Sequence, residues 1–190
     1  MKMPLEQSKL TYRQYLRWPE GARIELIDGN VYNMTPAPSR MHQKILMALS
    51  SRFEAHLRGK TCEVYPAPFD VRLPKPGVAD EDTDTVVQPD ITVVCDVSKL
   101  DDRGCKGAPD LVVEIISPDS LKLDISTKKS LYESSGVKEY WIVYPSEKIV
   151  TIYTLSASGK YELLESYSVD DVIPVSIFPD FVIHANEIWA

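Results

Sequence analysis

Residues 88–145 hold three apolar runs, "QPDITVVCD" (88–96), "APDLVVEIIS" (108–117) and "KEYWIVYP" (138–145), with one amphipathic stretch between the second and third. This strand, strand, helix, strand order restricts the fold more than any other feature of the chain. Taken as neighbours, the first two runs pair antiparallel. The third, reached through a helix, can return parallel to the second by a right-handed crossover. Runs of strands with a single helical crossover predict an α+β protein built on a mixed sheet.

The flanks agree with that class. "YRQYLRWP" (12–19) reads as a short helix stopped by Pro19, and "ARIELIDGNVYNM" (22–34) as a hairpin turning at Asp28-Gly29. Ser39 is placed to cap a helix over 40–59, in which Ile45, Leu46, Leu49, Phe53 and Leu57 recur at helical spacing. "TCEVYPAPFDVRLP" (61–74) reads as a proline-interrupted strand and 75–85 as an exposed acidic loop. The stretch 117–137 predicts a helix capped by Ser117 or Asp119 and stopped by Gly136. A hairpin over 148–168 and a short terminal strand complete the chain, and 190 residues suffice for one domain, 1–190.

Glu114 stands among Leu111, Val112, Val113, Ile115 and Ile116. A carboxylate in such a run is costly unless it is paired or holds a metal. With 88–95 and 110–116 antiparallel, Asp90 meets Glu114. Asp110 falls at the far end, about 13 Å along the strand from Glu114, too far to share an ion. Two adjacent carboxylates favour a cation such as Mg²⁺, which accepts few carboxylates and keeps waters for a phosphate substrate. On the following helix Asp124, Lys128 and Tyr132 form one stripe. Lys128 can reach Glu114, whereas Lys129 points about 100° away. The competing reading is a structural ion pair between Glu114 and Lys128.

The formal charge of −7 opposes strong sequence-independent binding to nucleic acid. No apolar run approaches the roughly 20 residues of a membrane helix, and the N-terminus lacks the apolar block of a signal peptide. A cytoplasmic protein with no membrane partner is expected. Cys62, Cys95 and Cys105 form no CxxC pair and are expected to be plain thiols rather than a disulfide framework.

The series "QPDI", "GAPDLVVEIISP", the 124–132 stripe and "GVKEYWIVYP", with "IELIDGNVYNMTPAPSRMHQKI" upstream, resembles the Uma family of endonucleases within the PD-(D/E)XK superfamily. The resemblance covers roughly residues 10–190. It implies a restriction-endonuclease-like core of helix, three antiparallel strands, helix and strand (αβββαβ), and a metal-dependent endonuclease acting on DNA. Asp90 and Glu114, with the Ile115 carbonyl, would hold Mg²⁺ or Mn²⁺. The superfamily's lysine position two residues after the acid holds Ile116 here, and the resemblance implies that Lys128 takes over its task of orienting water. Glu25 and His42 also match the family pattern and, with Asp124, are accessory candidates. A homodimer is expected by analogy, because a double-strand cut usually takes two sites. The alternatives are a nuclease-fold module that binds nucleic acid or a partner protein without cutting, and a phosphoesterase acting on a small nucleotide.

Overall fold

The computed structural model describes residues 9–19, 24–33, 38–117 and 123–189. Helix α1 (Tyr12–Tyr15) precedes the hairpin β1 (Ile24–Ile27) and β2 (Asn30–Asn33), and α2 (Arg40–Leu57) follows. Next come β3 (Glu63–Pro66), β4 (Val71–Arg72), β5 (Val86–Val87) and β6 (Ile91–Val94). A small hairpin, β7 (Leu100–Asp101) with β8 (Gly104–Lys106), leads to β9 (Leu111–Ile115). A π-helical turn (Leu123–Lys128) runs into α3 (Lys129–Ser135) and β10 (Glu139–Tyr144). The chain closes with β11 (Ile149–Leu155), β12 (Tyr161–Tyr167), β13 (Val172–Pro174), β14 (Val182–His184) and α4 (Asn186–Trp189).

The class is the mixed α+β expected. The central sheet has the order β12-β11-β10-β9-β6-β3, and β9–β10 is its parallel pair. A second sheet runs β2-β1-β5-β4-β8-β7. The sequence α2, β3, β6, β9, α3, β10 is the αβββαβ core. Side chains alternate across β9. Leu111, Val113 and Ile115 join Ile45, Leu49 and Phe53 of α2 in one core. Val112 and Ile116 join Ile27, Val71 and Val87 of the second sheet, with Tyr132 of α3, in another. Glu114 shares the parity of Val112 and Ile116, so it points toward the second sheet and α3.

Local signals explain the ends of the elements. The side chain of Ser39 accepts from the His42 backbone N–H at 3.2 Å, capping α2. Asp28 (φ 49°) and Gly29 (φ 77°) are both left-handed, as a two-residue hairpin turn requires. Gly136 (φ 88°) stops α3, and its N–H donates to the Tyr132 carbonyl at 3.1 Å.

Several expectations are corrected. The interrupted stretch 61–74 does not stay within one sheet, and 87–95 is not one continuous strand. Each leaves one sheet for the other, at 67–70 and 88–90 respectively. The acidic loop is not merely solvated, because Asp80 accepts from the fully buried Arg72 at 2.7 Å. Arg72 also pairs with Asp101 at 2.7 Å and lies over the Tyr12 ring. Two cysteines are not thiols. Cys62 and Cys95 form a disulfide, one step beyond the Glu63↔Val94 partners of the β3–β6 pair. Strand pairing brings together sulfurs 33 residues apart, a proximity that spacing alone does not reveal. Cys105 is a free, buried thiol. The helix after β9 opens with a π turn, and its Ile125 is 38% exposed. The expected caps at 117–119 lie partly outside the described residues. Among the described residues no helix is long and apolar enough to cross a membrane.

Candidate active site

The two places where the chain changes sheets lie side by side, since the Ala67 N–H donates to the Asp90 carbonyl at 2.9 Å. Leaving a sheet frees backbone N–H groups from the ladder, and buried ones need other partners. Carboxylates supply them. Asp90 Oδ2 accepts from the Ile115 N–H at 2.7 Å, and Glu25 Oε1 accepts from the Gln88 N–H at 2.8 Å. The acids at this junction therefore have a structural reason to be there, independent of any chemistry.

The β6–β9 register, Ile91↔Val113, places Asp90 one step further, opposite Glu114 and on the same face. Asp90 borders a cleft of about 590 Å³ together with His42, whose Nε2 lies 3.1 Å from Asp90 Oδ1. Asp110 sits at the other end of β9. It accepts from the Cys95 N–H and pairs with Lys138, both at 2.7 Å, and so serves the scaffold.

Behind Asp90 lies a buried ion cluster. Lys128 Nζ stands 3.0 Å from Glu114 Oε1 and 3.0 Å from Glu25 Oε1, with side-chain exposures of 4%, 5% and 2% in that order. The Tyr132 hydroxyl donates to the same Glu114 oxygen at 2.7 Å. Burial, then the charges of Glu114 and Glu25, push the Tyr132 phenol well above its ordinary range. It therefore stays protonated and acts as a donor. The stripe geometry explains the convergence, since Lys128 and Tyr132 lie one turn apart across the junction of the π turn and α3. Ile116, on the same face of β9 as Glu114, is packed into the apolar core with Tyr132. A lysine there would displace that packing. Lys129, by contrast, lies over the Tyr153 ring at 3.8 Å.

The structure thus brings Lys128, Glu114 and Glu25 into contact, and Asp90 into contact with His42. Glu25 anchors Lys128 and the turn at Gln88. The side chain of Asp124 lies outside the described residues. Asp90, Glu114 and the Ile115 carbonyl are oxygen donors only, the chemistry that Mg²⁺ prefers. Among the described residues no three His, Cys, Asp or Glu side chains converge as a metal site, so a cation here would rest on two carboxylates, a carbonyl and water.

Sequence reasoning missed three polar neighbours. The Tyr15 hydroxyl donates to Asp70 Oδ1 at 2.9 Å, and the Gln88 amide donates to the same oxygen at 2.8 Å. Nothing in the local pattern marks them. Tyr132, on the predicted stripe, both packs in the core and donates to Glu114.

Comparison with known proteins gives the family and the fold. An uncharacterized protein of Synechocystis sp., slr1290, is 28% identical over 178 residues, spanning 92% of this chain and 90% of that protein. A crystal structure from Anabaena variabilis, described as "a putative nuclease belonging to DUF820", superposes with a TM-score of 0.73 at 20% identity. It covers 95% of this chain and 97% of the other, which establishes a shared fold. Residues 12–186 match the family model described as "Uma2: Putative restriction endonuclease", and the chain belongs to that family.

Proposed function

We propose that this protein is a metal-dependent endonuclease that hydrolyses phosphodiester bonds in DNA. The observation that carries the reading is Lys128 Nζ at 3.0 Å from Glu114 Oε1, an acid–ammonium pair assembled across the strand and the following helix while Ile116 fills the core. Family membership and a nuclease-like fold support it.

In this reading Asp90 and Glu114, with the Ile115 carbonyl, hold Mg²⁺ or Mn²⁺. The ion when bound would polarise a phosphoryl oxygen and lower the pKa of a coordinated water. The protein's own groups do the rest. Lys128 orients the attacking water and offsets charge on the phosphate as it becomes pentavalent. Glu25 and Tyr132 are positioning residues. Glu25 holds the ammonium, and Tyr132 fixes the Glu114 carboxylate through its hydroxyl. His42, beside Asp90 at the cleft, holds that carboxylate.

The test is nicking of supercoiled plasmid with Mg²⁺ or Mn²⁺ by wild type, Asp90→Asn and Lys128→Met. Activity in wild type and its loss in both variants is expected. Equal cleavage by all three would mean a contaminating nuclease and would end the proposal. One observation favours a second reading. An ammonium held between two buried carboxylates is also what a purely structural ion pair looks like, so the fold could bind nucleic acid or a partner protein without cutting it. Unchanged heat of mixing and melting temperature with millimolar Mn²⁺ would select that reading.

A further inference from the structure

The cleft beside Asp90, about 590 Å³ in volume, lies within the roughly 300–1,000 Å³ range of small-ligand sites. Its lining selects the sign of a ligand. Two carboxylates, Asp70 and Asp90, border it, and none of its described lining residues is a lysine or an arginine. His42, the lining base, is engaged with Asp90 at 3.1 Å. Pro19, Pro38 and Pro68 also line the cleft and have no N–H to offer an anion. With no metal ion at Asp90, an anion here meets repulsion and few donors, whereas a cation meets attraction.

The two acids differ in what they leave free. Both Asp90 oxygens are engaged, Oδ1 with His42 and Oδ2 with the Ile115 N–H. Asp70 is held on one oxygen. Its Oδ1 accepts from the Tyr15 hydroxyl at 2.9 Å and from the Gln88 amide at 2.8 Å, while Oδ2 has no hydrogen bond or ion pair among the described residues. Burial, then the charge of Asp70, push the Tyr15 phenol above its ordinary range, so the hydroxyl stays a donor and keeps that carboxylate in place. A half-buried carboxylate fixed by two neutral donors, with no cation paired to it, is a preorganised acceptor for a charged N–H.

Two aromatic rings stand beside it. Tyr15 and Trp18 line the cleft with centroids 5.2 Å apart and planes inclined by 54°. Both are half-buried, unlike Trp141 and Tyr132 of the core, which have no exposure. A nitrogen cation within about 6 Å of a ring centroid is attracted by the ring quadrupole, and inclined rings form two walls of a cage for it. Carboxylate and rings together suit one class of ligand, a cation with N–H donors for Asp70 and an apolar body for the rings. A metal ion has neither.

We infer that the cleft binds a small organic cation, an alkylammonium or alkylguanidinium, with its charged head on Asp70 Oδ2 and its body against Tyr15 and Trp18. Binding of this kind needs neither metal nor nucleic acid and does not rest on the nuclease reading.

Isothermal titration calorimetry of the full chain, in EDTA at low ionic strength, measures it. The probes are butylguanidinium and butylammonium, with butyramide as a neutral and butanoate as an anionic control. At least one cation is expected to bind with a dissociation constant of about 1 mM or tighter, and about 10-fold or more tightly than either control. Asp70→Asn and Trp18→Ala should each weaken it by about 10-fold, while Trp18→Phe, which keeps a ring, should stay within about 3-fold. Asp102→Asn removes an equal charge from an exposed position outside this cleft and should bind like wild type. Circular dichroism checks that the variants fold. No binding of either cation at about 10 mM, equal binding of a control, or Asp70→Asn and Trp18→Ala variants that bind like wild type would each overturn the inference. So would a loss in Asp102→Asn as large as that in Asp70→Asn, which would mean a response to net charge alone.

Discussion

Replacing Lys128 by methionine removes the ammonium and keeps most of the side-chain volume. Its contacts to Glu25 and to Glu114 are 3.0 Å long each. At an effective dielectric constant of about 20, one such pair is worth roughly 5 kcal/mol of Coulomb attraction. Desolvation of the three buried ions, several kcal/mol each, offsets much of the sum. Removing one partner exposes that cost, because the two carboxylates remain buried without their cation. Losses of about 3–5 kcal/mol are typical for such a change. For a chain of this size each kcal/mol shifts the melting temperature by about 2–4 °C, so Lys128→Met should melt roughly 6–20 °C below wild type. Thermal and urea unfolding followed by circular dichroism measure it. Glu25→Gln and the double variant complete a cycle, in which the double variant should lose less than the sum of the singles by about 1–3 kcal/mol. A loss below about 1 kcal/mol for Lys128→Met, the value of a solvated surface pair, would refute the buried cluster and the orientation it gives Glu114. Activity of the variant is read well below its melting temperature, so that lost chemistry is not confused with lost fold.

Other perturbations probe neighbouring features. Tyr132→Phe removes one donor from the buried Glu114 carboxylate and keeps the ring in its core, so unfolding in urea should show a loss of about 1–3 kcal/mol. Thiol titration without reductant should find no fast-reacting group in the native protein and one equivalent after denaturation, because Cys105 is buried and Cys62–Cys95 is bridged. Three equivalents would contradict the bridge. Reducing it should cost about 2–4 kcal/mol, read as a lower melting temperature in dithiothreitol. Burial pushes the Cys105 thiol up to about 11 from an ordinary 9.0. The folded state then holds its proton more tightly than the unfolded one. That contribution to stability is full below pH 9 and is lost as pH rises toward 11, and Cys105→Ala should lack this component of alkaline destabilisation.

Much of the site was legible because its parts obey short-range rules. Alternation along β9 put Glu114 on one face, antiparallel pairing put Asp90 opposite it, and four-residue spacing put Lys128 and Tyr132 on one stripe. Each is a consequence of strand period two or helix period 3.6 within or between neighbouring elements. The parallel return of β10 followed from the single helix between two apolar runs.

What escaped depended on pairings between distant segments. Glu25 belongs to β1 in the second sheet, yet it holds the same ammonium as Glu114 of β9 in the central sheet. No periodicity relates them. The exit of 61–74 and 87–95 from one sheet into the other brought Asp70 and Gln88 into hydrogen-bond contact, and the β3–β6 register joined Cys62 to Cys95. By itself the sequence determined which residues are apolar, which turns form and which acids face which side, since those depend on backbone sterics and burial within a few residues. Only the tertiary structure decided which cation meets which acid and which residues line the cleft beside Asp90. Those outcomes rest on two sheets packing face to face, and the free energy of that packing comes from apolar area that no local pattern assigns to a partner.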